Sequence, residues 1–224
     1  MKKPTAFFVL LLAVIPAFAG DFGFRFGLKA SPNISWFRTE TRGYQNIGVG
    51  VGYAYGLIVD YEFAENYAIR SGLNFMQTGG KLKYNHIHDG IVTDKQRKHR
   101  LRYLEIPVAL KLSTFEMGYT TYFGLFGVGL GFNSSAIGDD RITLPGGGYI
   151  IDDKRDIADE IRFLRAGLLI GAGAEYNFGG MTSLLIGLTF HNGFSNVLEK
   201  ENPAVTYTPS ANGHYLELTL GILF

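Results

Sequence analysis

The sequence predicts an all-β protein: an eight-stranded, antiparallel, up-and-down transmembrane β-barrel with short periplasmic turns and long extracellular loops. Three observations carry this. The chain opens like an exported protein, its apolar residues recur with a period of two, and its connections alternate between short and long. Together these are the sequence signature of a barrel that crosses an outer membrane with strands.

The opening comes first. Lys2 and Lys3 form a positive start, Ala6 to Ile15 is an apolar run, and Ala17-Phe18-Ala19 is a small-x-small cleavage site. The run is too short to span a bilayer as a helix, which takes about 20 apolar residues. Residues 1–19 are therefore expected to be a signal peptide and residues 20–224 a barrel domain. With Lys2 and Lys3 removed, 19 of the 21 basic residues face 20 acidic ones. The near-zero balance gives no basic field for nucleic acid. The absence of cysteine excludes a disulfide framework, a thiol nucleophile and a lipid-modified cysteine at the cleavage site.

The alternation is clearest from Val49 to Phe63. Val49, Val51, Tyr53, Tyr55, Leu57, Val59, Tyr61 and Phe63 share one face, and Gly50, Gly52, Ala54, Gly56, Ile58, Asp60 and Glu62 the other. A helix would mix these residues, so the segment reads as a strand. About 9–11 residues suffice for a tilted membrane strand. The same pattern sets Phe22, Phe24, Phe26, Leu28 and Ala30 against Gly23, Arg25, Gly27 and Lys29. It sets Tyr67, Ile69, Leu73 and Phe75 against Ala68, Arg70, Gly72 and Asn74, and Leu104 to Leu112 against Tyr103, Glu105, Pro107, Ala109 and Lys111. Further strands run from Tyr119 to Phe132, Leu164 to Phe178, Ser183 to His191 and Tyr215 to Phe224, which makes eight. Short links are expected at 64–66, 113–118 and 179–182, and long polar ones near 38–47, 79–100, 133–160 and 192–213. Phe63, Tyr67, Tyr122, Phe132, Tyr176, Phe178 and Phe190 lie near strand ends, as a membrane girdle requires.

Alternation also sorts the charges. Arg25, Lys29, Arg70, Lys111 and Arg165 point inward, as do Asp60, Glu62, Glu105, Glu175 and Glu217. An eight-stranded barrel has room only for side chains, so five cations against five anions predict an ion-paired, closed lumen, with a proton or ion path as the rival reading. Pro107 removes a ladder donor from within a strand, and a bulge or a gap in pairing is expected there. The run Gly48-Val49-Gly50-Val51-Gly52 lacks the spacing of a nucleotide loop and reads as space for large side chains opposite.

Other clusters carry residue types that could support chemistry. His86, His88 and Asp89, with His99, could be half a zinc or copper site, but the set is incomplete. Asp139, Asp140, Asp152, Asp153 and Asp156 could offer carboxylates to calcium, without any repeat or EF-hand spacing. His191, Ser195 and Glu199 would suit a lipid hydrolase only if they converged. No catalytic, cofactor or metal site is expected from these. The basic run Lys95, Arg97, Lys98, His99, Arg100 and Arg102 reads equally as a solvated loop or as a partner for lipopolysaccharide phosphates.

Several segments resemble the PorT-like family of outer-membrane β-barrels. They are Phe26-Gly27-Leu28-Lys29-Ala30-Ser31-Pro32-Asn33, Tyr103-Leu104-Glu105-Ile106-Pro107-Val108-Ala109-Leu110-Lys111, Gly171-Ala172-Gly173-Ala174-Glu175-Tyr176, Gly193-Phe194-Ser195-Asn196-Val197 and the ending from Tyr215 to Phe224. The resemblance implies an eight-stranded barrel in the outer membrane of a Gram-negative cell and little about activity, although the family is named for a member linked to protein secretion. The expected role is structural or interactive, in secretion or cell-envelope maintenance. Expected partners are outer-membrane lipids, lipopolysaccharide and other envelope proteins. A lipid-modifying enzyme, a small passive channel and a soluble barrel with an apolar ligand are the rivals.

Overall fold

The computed structural model describes residues 23–200, 202, 204 and 209–224. The signal-peptide reading of residues 1–19, and Phe22 at the head of the first strand, lie outside the described residues. Among the described residues nine strands follow one another: β1 (Phe24–Thr39), β2 (Tyr44–Ala64), β3 (Tyr67–His88), β4 (Ile91–Ser113), β5 (Thr120–Thr143), β6 (Tyr149–Asp156), β7 (Leu164–Asn177), β8 (Ser183–Asn196) and β9 (Ala211–Leu223). All pairings are antiparallel. Each strand from β1 to β5 pairs with the next, β5 also pairs with β7, β7 with β8, β8 with β9, and β9 with β1. Eight strands thus close a ring, and closure removes the sheet edges that hydrocarbon would not tolerate. The ninth, β6, lies outside the ring and pairs along the far end of β5.

The period of two decides which side chain goes where. Val51, Tyr53, Tyr55, Phe75, Val108, Phe126, Ile170, Leu188 and Leu220 stand exposed on the outer surface. On the opposite parity, Ala54, Ala109, Glu105, Phe123, Leu169, Thr189 and Glu217 are buried inside. The inner face is less uniformly small or charged than the alternation suggests. Ile58, Phe123, Leu185 and Leu223 form an inner apolar cluster with Leu125. A Cβ on Gly173 would come within 2.5 Å of the Phe123 ring, so this glycine makes room for it.

Pro107 acts as its chemistry demands. Pairing of β3 with β4 lapses between Ser71↔Val108 and Asn74↔Glu105. The free Pro107 carbonyl accepts from the Ser71 hydroxyl at 2.9 Å instead. The register is the same on both sides of the lapse, so no residue is inserted.

The long connections are largely strand. β3 and β4 stay paired to His88↔Ile91, joined by a tight turn at Asp89-Gly90. Both turn residues have positive φ, 48° and 78°, the pattern of an Asp-Gly hairpin turn. Between β1 and β2 only residues 40–43 intervene. β2 to β5 run 21 to 24 residues, whereas β7 to β9 run 13 or 14. One wall therefore rises well past the apolar band. Outward alternation of apolar residues stops where lipid stops, so the sequence shows no strand signal there. The inner face continues: Leu82, Leu101, Ala136 and Ile157 are buried in a second cluster with Phe37, Tyr44 and Tyr84. That cluster packs the inner side of the extension.

Candidate functional site

The inner charges sort into layers. Next to the short turns, the Arg70 guanidinium donates to Asp60 at 2.7 and 2.6 Å and to Glu175 at 2.9 Å. Lys111 lies 3.0 Å from Asp60 and 2.5 Å from Glu175. Arg25 closes the group, 2.7 Å from Glu175 and 4.0 Å from Glu62. The Phe123 ring sits 4.9 Å from Arg70 and 5.5 Å from the Lys111 ammonium, adding cation–π contact. Higher up, Lys29 pairs with Glu217 at 2.5 Å and Arg165 with Glu105 at 2.5 Å. All ten inner charges assigned by alternation have a partner of opposite sign. Glu62 is the one at the mouth, with its side chain 46% exposed.

His191 belongs to this interior. Its ring stacks on Tyr215 at 4.0 Å, and its Nδ1 is 2.6 Å from the Tyr215 hydroxyl. That hydroxyl also donates to Glu105 at 3.0 Å, so the histidine supplies the proton of the shorter bond. Ser195 is engaged elsewhere: its hydroxyl accepts from the Ala166 N–H at 2.8 Å and donates to the Ala166 carbonyl at 3.3 Å. Glu199 bonds through its backbone N–H to the Glu160 carbonyl. The three do not form a nucleophile–base–acid relay. The space left at mid-barrel, between Lys29, Arg70, Asn74, His191 and Glu217, is about 50 Å³, room for a few waters.

The outer extension carries a further network that sequence reasoning missed. Arg97 forms two bonds to Asp140 and one to Glu160, and Lys95 lies 2.7 Å from Asp140. Asp140 faces inward because of a bulge. The register of β5 against β4 shifts between Arg102 and Tyr103, where Ser134 is the extra residue, and parity flips beyond it. Burial would raise the Asp140 carboxyl, but its bonds to Arg97 and Lys95 outweigh this and hold it below the usual carboxylate range. Burial and the Arg97 charge push His99 down to about 3, so its imidazole is neutral at physiological pH. Its ring packs edge-on against Phe37 at 5.2 Å.

The basic run splits by the unbroken alternation of β4. Lys95, Arg97 and His99 are buried inside, while Lys98, Arg100 and Arg102 project outward, so only half of the run can face a leaflet. His86 and His99 both line the outer vestibule, and His88 is near the tip beside Asp89. Among the described residues no three His, Cys, Asp or Glu side chains come together as metal ligands would. The five aspartates disperse: Asp140 turns inward, Asp139 bonds Arg100 at 2.5 Å on the outer face, and Asp152, Asp153 and Asp156 are exposed on β6.

A closed ring with an apolar belt outside and paired charges inside defines a membrane-spanning β-barrel. The chain matches the family model described as outer membrane protein beta-barrel domain over residues 19–199, and it belongs to that family. It is an outer-membrane protein. Among solved structures it is similar to neisserial surface protein A, at 14% identity, covering 88% of this chain and 95% of that one with a TM-score of 0.42. It is also similar to OprG of Pseudomonas aeruginosa, at 10% identity, 92% and 98% coverage and a TM-score of 0.47. Ail of Yersinia pestis is 12% identical, with 90% and 99% coverage and a TM-score of 0.38. No curated protein matches the chain.

Proposed function

We propose that the protein is a non-enzymatic contact scaffold of the outer membrane, its lumen sealed and its tall β2–β6 wall presented outside the cell. The observation that carries this reading is the contrast between a lumen whose ten charges are paired and a wall that overshoots the membrane. Rigid scaffolds usually place function on the segments that project from them. The PorT-like resemblance adds a finer setting, protein secretion or cell-envelope maintenance, with envelope proteins as partners of the wall. Ser195 and His191, committed to other bonds, weigh against the lipid-modifying alternative.

Two measurements test it. Planar-bilayer recordings of the refolded barrel are expected to show no steady pore, and a reproducible ion-carrying state would replace the scaffold with a passive channel. A photo-crosslinker at Val92, exposed at the hairpin tip, is expected to capture a defined envelope partner in native membranes. Labelling only of lipid would remove the contact role.

A further inference from the structure

We propose that the outer face of β3 and β4 holds a binding site for the phosphates of a phosphorylated glycolipid, the lipid A region of lipopolysaccharide, formed by Lys81, Lys98 and Arg102. The inference rests on the outward placement of the tall wall in the proposed function and names the lipid that meets it. Lys81 and Lys98 are directly opposite one another in the β3–β4 register, and both are exposed. Like charges at that position are destabilising by themselves. Neither Lys81, Lys98 nor Arg102 has a carboxylate within 4.0 Å among the described residues. The Asp139 carboxylate, across from Lys98 on β5, is taken by Arg100 and the Lys154 N–H. A cluster of cations with so little internal compensation is completed by an anion from outside.

The position fixes what kind of anion. Arg102 follows Leu104 on the outward face of β4, the upper limit of the apolar row Leu104, Ile106, Val108, Leu110 and Leu112. Lys81 pairs with Gly48, next to the exposed Val49 and Ile47 of β2. The ligand is therefore an amphiphile, with acyl chains on the belt and phosphate just above it. The two rims decide its class. At the short-turn end Phe63, Tyr67, Phe115, Tyr119 and Phe178 are exposed with Glu65 and Glu116, and no lysine or arginine points outward there among the described residues. A phospholipid headgroup would meet both rims. An anion confined to one leaflet matches cations confined to one rim.

The test uses the full mature barrel in phosphatidylcholine nanodiscs, titrated with bisphosphorylated lipid A, the same lipid dephosphorylated, or phosphatidylglycerol. Folding is followed by heat-modifiable gel mobility. The variant K81Q/K98Q/R102Q is expected to bind lipid A at least about tenfold more weakly, at up to about fivefold per cation near a membrane surface. K81R/K98R/R102K is expected to bind like the unsubstituted protein, and dephosphorylated lipid A is expected to show no difference among the three. Equal lipid A affinity of the glutamine variant would overturn the site. An equal drop for phosphatidylglycerol would overturn the glycolipid assignment in favour of any phospholipid. Should the triple variant not fold, Arg102→Gln alone decides, with a weakening of about fivefold expected and no change overturning the site. None of these outcomes bears on conductance or on the Val92 crosslink, so this site and the scaffold role fail separately.

Discussion

The half of the barrel beside the short turns and the half that carries the tall wall both bury paired charges but build opposite outer rims. Beside the turns the charges are inside, as Arg25, Arg70 and Lys111 against Asp60 and Glu175, and the outer rim is aromatic. At the other end apolar and aromatic residues surround a second buried network of Lys95 and Arg97 with Asp140, and here further cations line the outside at Lys81, Lys98 and Arg102. The difference follows from what each rim touches. Buried charges persist only when paired and hydrogen-bonded, and a ring of eight strands can bring partners from opposite walls together. Unpaired cations persist only where water or an external anion meets them.

The largest effect should come from the inner network. Asp60 is fully buried and bonds both Arg70 and Lys111. Asp60→Ala leaves two buried cations short of a partner and is expected to cost about 3–5 kcal/mol in bilayer refolding titrations. Asp140→Ala, in the outer network, should leave that midpoint nearly unchanged while raising amide exchange through β3–β4. If both variants shift global stability equally, the two halves are one cooperative unit.

Next in size is the lipid face. Leu168 points outward on β7, and Leu168→Arg should cost about 2–4 kcal/mol if it lies near the bilayer midplane, while Leu168→Phe is tolerated. Its neighbour Leu169 is buried inside at 3% exposure. There Leu169→Ala should destabilise through the cavity it leaves, by about 2–5 kcal/mol at most. Equal responses of Leu168 to Arg and Phe would mean the register is shifted by one residue.

Acid should separate the halves further. His99 is held at about 3 when folded and titrates near 6.5 when free. Between those values the unfolded extension binds more protons than the folded one, so stability of the extension falls as pH drops from about 6.5 toward 3. The Asp140 contribution is fully present above the ordinary carboxylate value of 3.8 and is lost only as pH falls through its lowered one. Hydrogen exchange at pH 5 against pH 7.5, corrected for intrinsic rates, should show the β3–β4 hairpin loosening first, and His99→Phe should flatten that response. A pH-independent hairpin would mean that the burial of His99 does not hold in the membrane. The smallest effect is expected at the tip. Lys83 and Asp94 pair at 2.8 Å with both side chains partly exposed to water, so Asp94→Asn should change stability by less than about 0.5 kcal/mol. A larger loss would mean the hairpin tip is packed against something.

The lower barrel was legible residue by residue. From Val49 to Phe63 and from Leu104 to Leu112 every second residue faces lipid, and lipid accepts only apolar side chains, so composition reports geometry directly. The inward assignment of the ten charges follows from the same parity. The extension was not legible, because above the membrane both faces of a strand meet water or a mixed core and polar residues appear on either. The basic run from Lys95 to Arg102 shows this most simply: its six basic side chains divide into three that point inward and three that point outward.

What the sequence determined by itself is the period, and with it the export of apolar residues to one face, the eight-stranded ring and the charges that fill it. Only the tertiary structure decided which inner charges meet, since Arg25 and Glu175 are 150 residues apart and come together across the lumen. It also decided that Asp140 turns inward past the bulge at Ser134, and that Ser195 bonds Ala166 while His191 bonds Tyr215. A local pattern fixes the face a side chain takes. The partner it finds there depends on ring closure and register, which are properties of the whole chain.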